Sequence, residues 1–390
     1  MREIVQTLEQ IERPPASDGE REAAEWIRVR FAALGLDARI EEEPATGSFP
    51  VPVALMAAIG AAAGLARGGR VVPAAAALAA AAGIADDVSG GRHWFRRLLP
   101  RKVTRNVIAE AGDPQGEEVL VLVAHHDAAN GGVVFDPRPS HWVAHTFPDW
   151  YARQETSPPL MQLVVAGPVL AGLGALLGRQ GLRRVGGIVA LGSALVVGEI
   201  AARRVVPGAN DNLAAVAVLL ELARLLREEE EPLHGVRLVL LSTGAEESFM
   251  EGMRGFVARH GAQLDPARTR FVVLECVGGP EAILLEGEGM LRVRDYTAAT
   301  RDWLAQVAER AGHPLRRRLR SGFATDALIS LKAGFPTAVI AAIDRYKMAP
   351  NYHSKHDVAA NLDLTTVAAV TEICLAAARS LSRRPVPARA

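Results

Sequence analysis

Two kinds of uncharged stretch punctuate this chain, set among amphipathic segments. The first kind is short and rich in Val, Leu and Ile. VLVLVAHHD, residues 119–127, has no polar residue before its two histidines and aspartate, which predicts a strand covered on both faces. GVRLVLLST (235–243), TRFVVLE (269–275) and the apolar run within 335–343 read the same way, and LDARIEEE (36–43) and VTRNVIAEAG (103–112) predict further strands. Helical spacing recurs between them: Ala23, Ala24, Ile27, Phe31 and Leu34 share one face, and 213–228, 294–312 and 364–382 repeat the pattern. The alternation predicts an α/β fold with a mixed, mostly parallel central sheet flanked by helices.

The second kind is longer. Residues 49–66 and 71–85 carry no charge and are separated only by RGGR; 159–178 and 185–202 flank RQGLRR and hold one acid, Glu199, near an end. They predict two helical hairpins. Spanning a bilayer takes about 20 apolar residues, so the second pair is long enough and the first marginal. Gly-rich, charge-free segments tipped by arginines favour a transmembrane subdomain of about four spans over a soluble alanine-rich insertion. An even number of crossings returns the chain to one side each time, so the remainder can assemble into one domain. Expected units are 1–48 with 103–136 and 205–381, then 49–102 (first hairpin and basic linker), 137–204 (loop and second hairpin) and a disordered tail, 382–390. Arginines lie at the hairpin tips (Arg67, Arg70, Arg179, Arg183, Arg184) and with Lys102 on their flanks (Arg92, Arg96, Arg97, Arg101, Arg203, Arg204). The charged N-terminus lacks a signal-peptide core, and the catalytic side is expected to be cytoplasmic.

Charge removes some classes. Lys+Arg 44 balances Asp+Glu 44, which argues against a nucleic-acid partner. Cys276 and Cys374 are the only cysteines, too few for a disulfide framework or a cysteine zinc cluster, so a metal must use His, Asp and Glu.

Suitable residues follow the expected strands or open helices. His125 and Asp127 share a face, which suits a metal ligand and its orienting carboxylate, though a solvated loop would look the same. Asp211 precedes a helix and equally fits a cap. Glu246 and Glu247 lie past a strand end, where open α/β sheets bind ligands, but adjacent glutamates also suit a solvated helix start. Glu275 sits among apolar neighbours, where a carboxylate is costly unless paired or metal-bound. His353 lies in a loop with Tyr352, His356 and Asp357. His141 and His145 are scattered in a loop-like stretch, 128–157, and read as surface residues. Cys276 is expected to face away into the core, and Arg316, Arg317, Arg318 and Arg320 to form a solvated edge strand or to lie against lipid headgroups.

In this order AHHD, GANDN, AEES and NYHSKHD resemble metallopeptidase family twenty-eight, the co-catalytic zinc aminopeptidases and glutamate carboxypeptidase-like enzymes. The resemblance covers residues 2–48, 103–136 and 205–380. It implies a zinc-exopeptidase fold, a peptide substrate and two zinc ions. Asp211 would bridge them, with His125 and Glu275 on one ion and Glu247 and His353 on the other. Asp127 would hold the His125 imidazole, and Glu246 would serve as general base and acid. Aminopeptidase members usually carry Asp where this chain has Glu275, which leaves an aminopeptidase and a carboxypeptidase-like hydrolase both open. Asp326 matches a family Asp near the site, and Tyr346 and Tyr352 are candidate transition-state stabilisers. The competing readings are a single-zinc acyltransferase acting on N-terminal glutamine and a non-catalytic scaffold. An intramembrane protease is disfavoured because the spans hold no His, no Asp and only Glu199.

Overall fold

The computed structural model describes residues 1–228 and 232–382; all but the first residue of the expected tail lies outside them. The chain opens with α1 (Arg2–Leu8) and α2 (Asp18–Ala33). Ser17 caps α2 by accepting the Glu20 N–H, and the Glu20 carboxylate reaches back to the Ala16 N–H, a reciprocal arrangement that starts the helix where the sequence pattern begins. Then come β1 (Asp37–Ala45), α3 (Pro50–Leu65), α4 (Val71–Val88), β2 (Lys102–Gly112), β3 (Glu118–His125), α5 (Arg138–Thr146), α6 (Pro148–Arg153), α7 (Met161–Leu176) and α8 (Gln180–Ala201). The C-terminal half adds α9 (Ala214–Glu228), β4 (Val236–Thr243), α10 (Glu251–His260), β5 (Thr269–Glu275), β6 (Glu281–Leu284), β7 (Gly287–Glu288) and β8 (Arg294–Asp295). It ends with α11 (Ala298–Arg310), β9 (Arg320–Ser321), α12 (Ala327–Lys332), β10 (Thr337–Ile343) and α13 (Leu364–Leu381).

Seven strands form the central sheet in the order β1-β2-β4-β3-β5-β10-β6. Only the inner four, β4, β3, β5 and β10, run parallel; the outer pairings are antiparallel. "Mostly parallel" therefore holds for the centre alone. There both faces are covered, and the pleat sorts the side chains: Leu120 and Leu122 join one core with α2, α9 and α13, while Val121 and Val123 join another with α10 and α12. A three-stranded sheet, β8-β7-β9, was not legible from so short a pattern.

The two hairpins form one bundle, with α3 against α8 and α4, and α7 against α4 and α8. Its interior is made of small residues. A Cβ added at Gly64 would lie 2.4 Å from the Gly187 Cα, and one at Gly186 would lie 2.1 Å from the Ala171 N. Its outside carries the large ones: Leu55, Ile59, Leu163, Leu176, Ile188 and Leu195 are all exposed. At its base the bundle is continuous with the domain, because Val53, Ile84, Val164, Val197 and Ile200 share the second core.

Several expectations change. α3 and α7 have 16 residues each, about 24 Å at 1.5 Å per residue, whereas α4 has 18 and α8 has 22. Each hairpin thus pairs a short helix with a longer one. α4 also runs on through Asp86 and Asp87. By length and composition α13 also qualifies as a span, but it packs on α9 and α11 in the first core. Residues 128–157 contain α5 and α6 rather than a plain loop, and α10 starts at Glu251, leaving Glu246 and Glu247 on a separate short turn. Arg316, Arg317 and Arg320 are paired with Glu281, Glu286 and Asp295, and this occupies the charges that would otherwise meet headgroups.

Candidate active site

Each expected site residue sits past the carboxyl end of an inner strand or on a loop packed there. His125 ends β3 and pairs in register with Thr243, the last residue of β4; Glu275 ends β5; His353 follows β10. Asp211 comes from the turn before α9, where its own φ and ψ are non-helical, so it does not serve as a simple cap.

All seven candidates converge. His125 Nε2 lies 3.1 Å from Asp211 Oδ1, 3.8 Å from Glu275 Oε1 and 4.0 Å from Glu246 Oε2. His353 Nε2 lies 3.2 Å from Asp211 Oδ2 and 3.2 Å from Glu247 Oε1. Three sets of donor atoms are close enough to share a cation: His125 with Asp211 and Glu275, Asp211 with Glu247 and His353, and His125 with Glu246 and Glu247. Asp211 belongs to the first two, one oxygen facing each histidine.

Several buried residues hold these groups, and of them the sequence pattern disclosed only Asp127. Asp127 lies 3.4 Å from His125 Nδ1, and its two oxygens accept the N–H groups of Glu246 and Glu247 at 3.1 and 3.0 Å, so one carboxylate orients the histidine and the glutamate turn together. Asp357 accepts the N–H groups of Asn210 and Asp211, fixing the shared carboxylate from behind. Arg13, fully buried, donates to the His126 and Gly208 carbonyls beneath both loops, and Glu20 accepts the Ala245 N–H. Asn212 completes the frame by donating to the Leu274 carbonyl and accepting the Cys276 N–H. Asp and Asn one to five residues from a candidate ligand were the only available signal.

Ala245, Cys276 and His353 adopt left-handed backbone at φ 46°, 50° and 50°, a conformation that non-glycine residues hold only where their surroundings enforce it. At Cys276 this ends the alternation of β5, and the thiol lies 3.4 Å from Glu275 Oε1 rather than pointing away.

The electrostatics are those of a site built for cations. Burial, with repulsion from Glu275 and Glu247, holds the Glu246 carboxyl well above the usual range despite His125. Burial raises Glu247 and Glu275 too, each eased by a histidine. Against the cost of its own burial, His353 is pushed up to about 10 by Glu247 and Asp211. Protons on the histidines neutralise the carboxylates here, and a divalent cation would take their place. Asp326 is pushed up to about 7 by burial while its carboxylate accepts the Thr243 hydroxyl, so it borders the cluster without joining it.

Tyr352 stacks on His353 with ring centroids 3.9 Å apart. The Tyr346 hydroxyl is instead held by His145 and Arg345, and its ring stacks on His141, which accounts for both scattered histidines as packing partners on α5. Glu246, Glu247 and His353 line one end of a 420 Å³ cavity that continues past Phe249 and Tyr352 towards the bundle.

Comparison with known proteins adds the following. Residues 195–378 match the model of Peptidase family M28. A stretch of 106 residues is 38% identical to endoplasmic reticulum metallopeptidase 1 of Rattus norvegicus, covering 26% of this chain and 11% of that protein. The matched stretch thus spans about a tenth of the length of this curated relative. Among solved structures, a Zn-dependent exopeptidase from Parabacteroides distasonis superposes with a TM-score of 0.56 at 13% identity, over 98% of this chain and 97% of the other. A Bacteroides thetaiotaomicron glutaminyl cyclase bound to N-acetylhistamine superposes with a TM-score of 0.55 at 14% identity, over 97% and 96%. At such identities the likeness is one of fold.

Proposed function

Because residues 195–378 match the model of Peptidase family M28, we propose that the chain is a zinc metallopeptidase of that family, a dinuclear exopeptidase that removes residues from free N-termini at a membrane surface. The observation that carries this reading is the division of Asp211, whose oxygens face His125 and His353 at 3.1 and 3.2 Å. His125 and Glu275 would complete one zinc site and Glu247 and His353 the other, with Asp211 common to both. The donors fit: three carboxylates and two imidazoles, nitrogen and oxygen ligands that zinc accepts, gathered in a buried pocket. Zinc, when bound, acidifies water and polarises the scissile carbonyl.

The protein's own groups do the rest. Glu246 takes a proton from the attacking water and returns it to the leaving amine nitrogen as the C–N bond breaks. Asp127 keeps His125 in one orientation and fixes the turn that carries Glu246, whose Oε2 lies 4.0 Å from His125 Nε2. Tyr352, stacked on His353 and lining the cavity, would contact the carbonyl oxygen.

We further propose that the bundle is bilayer-embedded, with four crossings. Large aliphatics face outward and glycines inward, the pattern that close helix packing in lipid favours, and an apolar surface of this extent would otherwise lie in water. The short α3 and α7 would be accommodated by local thinning. Arg183 and Arg96 are buried and Arg203 pairs with Glu199, so they leave the count of free charges, after which the basic residues at the base (Arg92, Arg97, Arg101, Lys102, Arg204) outnumber those at the tips (Arg67, Arg70, Arg179, Arg184) and support a cytoplasmic catalytic side.

The test incubates zinc-loaded protein with free, N-acetylated and C-amidated peptides, reads products by mass spectrometry, and counts zinc by elemental analysis. Single residues lost from free N-termini, with two zinc ions per chain, are expected. Glu246→Gln should lower kcat by about 10²–10⁴-fold while retaining the metal. Release from C-termini would instead assign Glu275 to a carboxypeptidase-like site, and loss of ammonia from N-terminal glutamine with one zinc would assign the acyltransferase chemistry.

A further inference from the structure

The cavity that starts at Glu246, Glu247 and His353 does not close within the catalytic domain. Its far wall is made by the inserted helices: Leu163 and Val164 of α7, and Val189, Gly192, Val196 and Val197 of α8. At 420 Å³ it is nearly three times an engineered cavity of about 150 Å³ that holds benzene, and it lies within the range of about 300–1,000 Å³ that takes a whole small ligand. Leu163 and Val196 line it and yet are 63% and 47% exposed, so its mouth opens on the outer, apolar face of the bundle. That side has few polar groups to solvate a peptide backbone. The leaving part of a peptide is polar and needs water, so the part that suits this cavity is the side chain on the acyl side of the scissile bond.

We propose that the bundle supplies a chain-binding subsite, and that the preferred substrate is an amide whose acyl residue carries a long aliphatic chain, admitted between α7 and α8. This deepens the exopeptidase reading and rests on it. Water adds to the carbonyl carbon and the C–N bond breaks. The water proton passes through Glu246 to the departing nitrogen, releasing the long-chain amino acid and an amine.

The full-length, zinc-loaded protein in phosphatidylcholine nanodiscs is assayed on anilides of alanine, leucine, α-aminooctanoate and α-aminodecanoate, and on the anilide of decanoate, which lacks the amine. The subsite predicts that kcat/KM rises about three- to four-fold per added methylene until the cavity is filled. Gly192 lines the cavity and a Cβ there meets nothing within 4 Å, so Gly192→Leu adds bulk at the cavity wall with no backbone clash at its Cβ, and should lower the long-to-short ratio at least about ten-fold. Cleavage of the amine-free anilide at a comparable rate would identify the chain-bearing substrate as a lipid amide; its resistance would identify an α-amino acyl compound, and both outcomes retain the subsite. Hydrolysis indifferent to chain length would overturn the subsite and leave the exopeptidase reading standing. Calorimetry gives a readout independent of turnover: α-aminodecanoate should bind Glu246→Gln at least about ten-fold tighter than alanine, and the added Gly192→Leu should remove that difference. If this holds while no anilide is cleaved, the exopeptidase reading fails and the subsite stands; equal binding overturns the subsite.

Discussion

Asp127 joins two parts of the site, His125 on β3 and the Glu246–Glu247 turn after β4, through one carboxylate. In Asp127→Asn the amide NH₂ would face a backbone N–H, so the turn must shift. A fall of about 10–100-fold in kcat or zinc affinity is expected, measured by steady-state kinetics beside a zinc-competition titration. His353 predicts a pH dependence. In the metal-free protein its pKa is raised from 6.5 to about 10 by Glu247 and Asp211, so its contribution to stability is complete below about 6.5 and is lost as pH rises through about 10. The Tm of the metal-free protein should therefore fall towards alkaline pH. Zinc binding, which requires neutral imidazole, should release protons and strengthen over the same range, as calorimetry in buffers of different ionisation enthalpy would read. Residue type and order were enough to nominate the donors. They could not nominate Arg13, Asp357 or Asn212, which act through backbone groups far away in sequence and resemble ordinary loop residues there.

The first hairpin is tied to the catalytic turn by a buried ion network. Arg96 pairs with Asp87 at the end of α4 at 2.9 Å and with Glu251 at the start of α10 at 3.2 Å, and donates to the Ser248 carbonyl. Arg96→Met would strand two buried carboxylates and should cost about 3–5 kcal/mol, read as a fall in Tm, with kcat falling as the Glu246 turn loosens. Within the bundle, Gly64→Leu should cost about 1–3 kcal/mol, because its Cβ would meet the Gly187 backbone. Gly192→Leu, in open space, should leave Tm unchanged. Thermal scans in one detergent compare all three. Periodicity located nearly every long element, but missed the break at Ala245, Phe249 and Met250, whose left-handed backbone separates the glutamate turn from α10. A helical pattern carries no mark of residues held out of register by hydrogen bonds that their N–H groups donate to Glu20 and Asp127.

For the whole molecule, bundle and catalytic domain share a core, so removing residues 159–202 should do more than detach an anchor. It would uncover Phe249, Met250 and Tyr352 along the cavity, and both Tm and chain-length preference should fall together. Chelation should also lower Tm, and added zinc should restore it, because an ion that binds only the folded state stabilises that state by mass action. The sequence by itself determined the strands and the helical hairpins and nominated the residues that gather at the site, since side-chain period and residue type are local properties. Only the tertiary structure decided that Asp211 stands between two histidines, that Asp127 serves two loops, and that hairpins separated by about seventy residues become one bundle whose base walls the active-site cavity. Those outcomes depend on strand order and on glycine surfaces meeting across the chain, distances that no sequence spacing encodes.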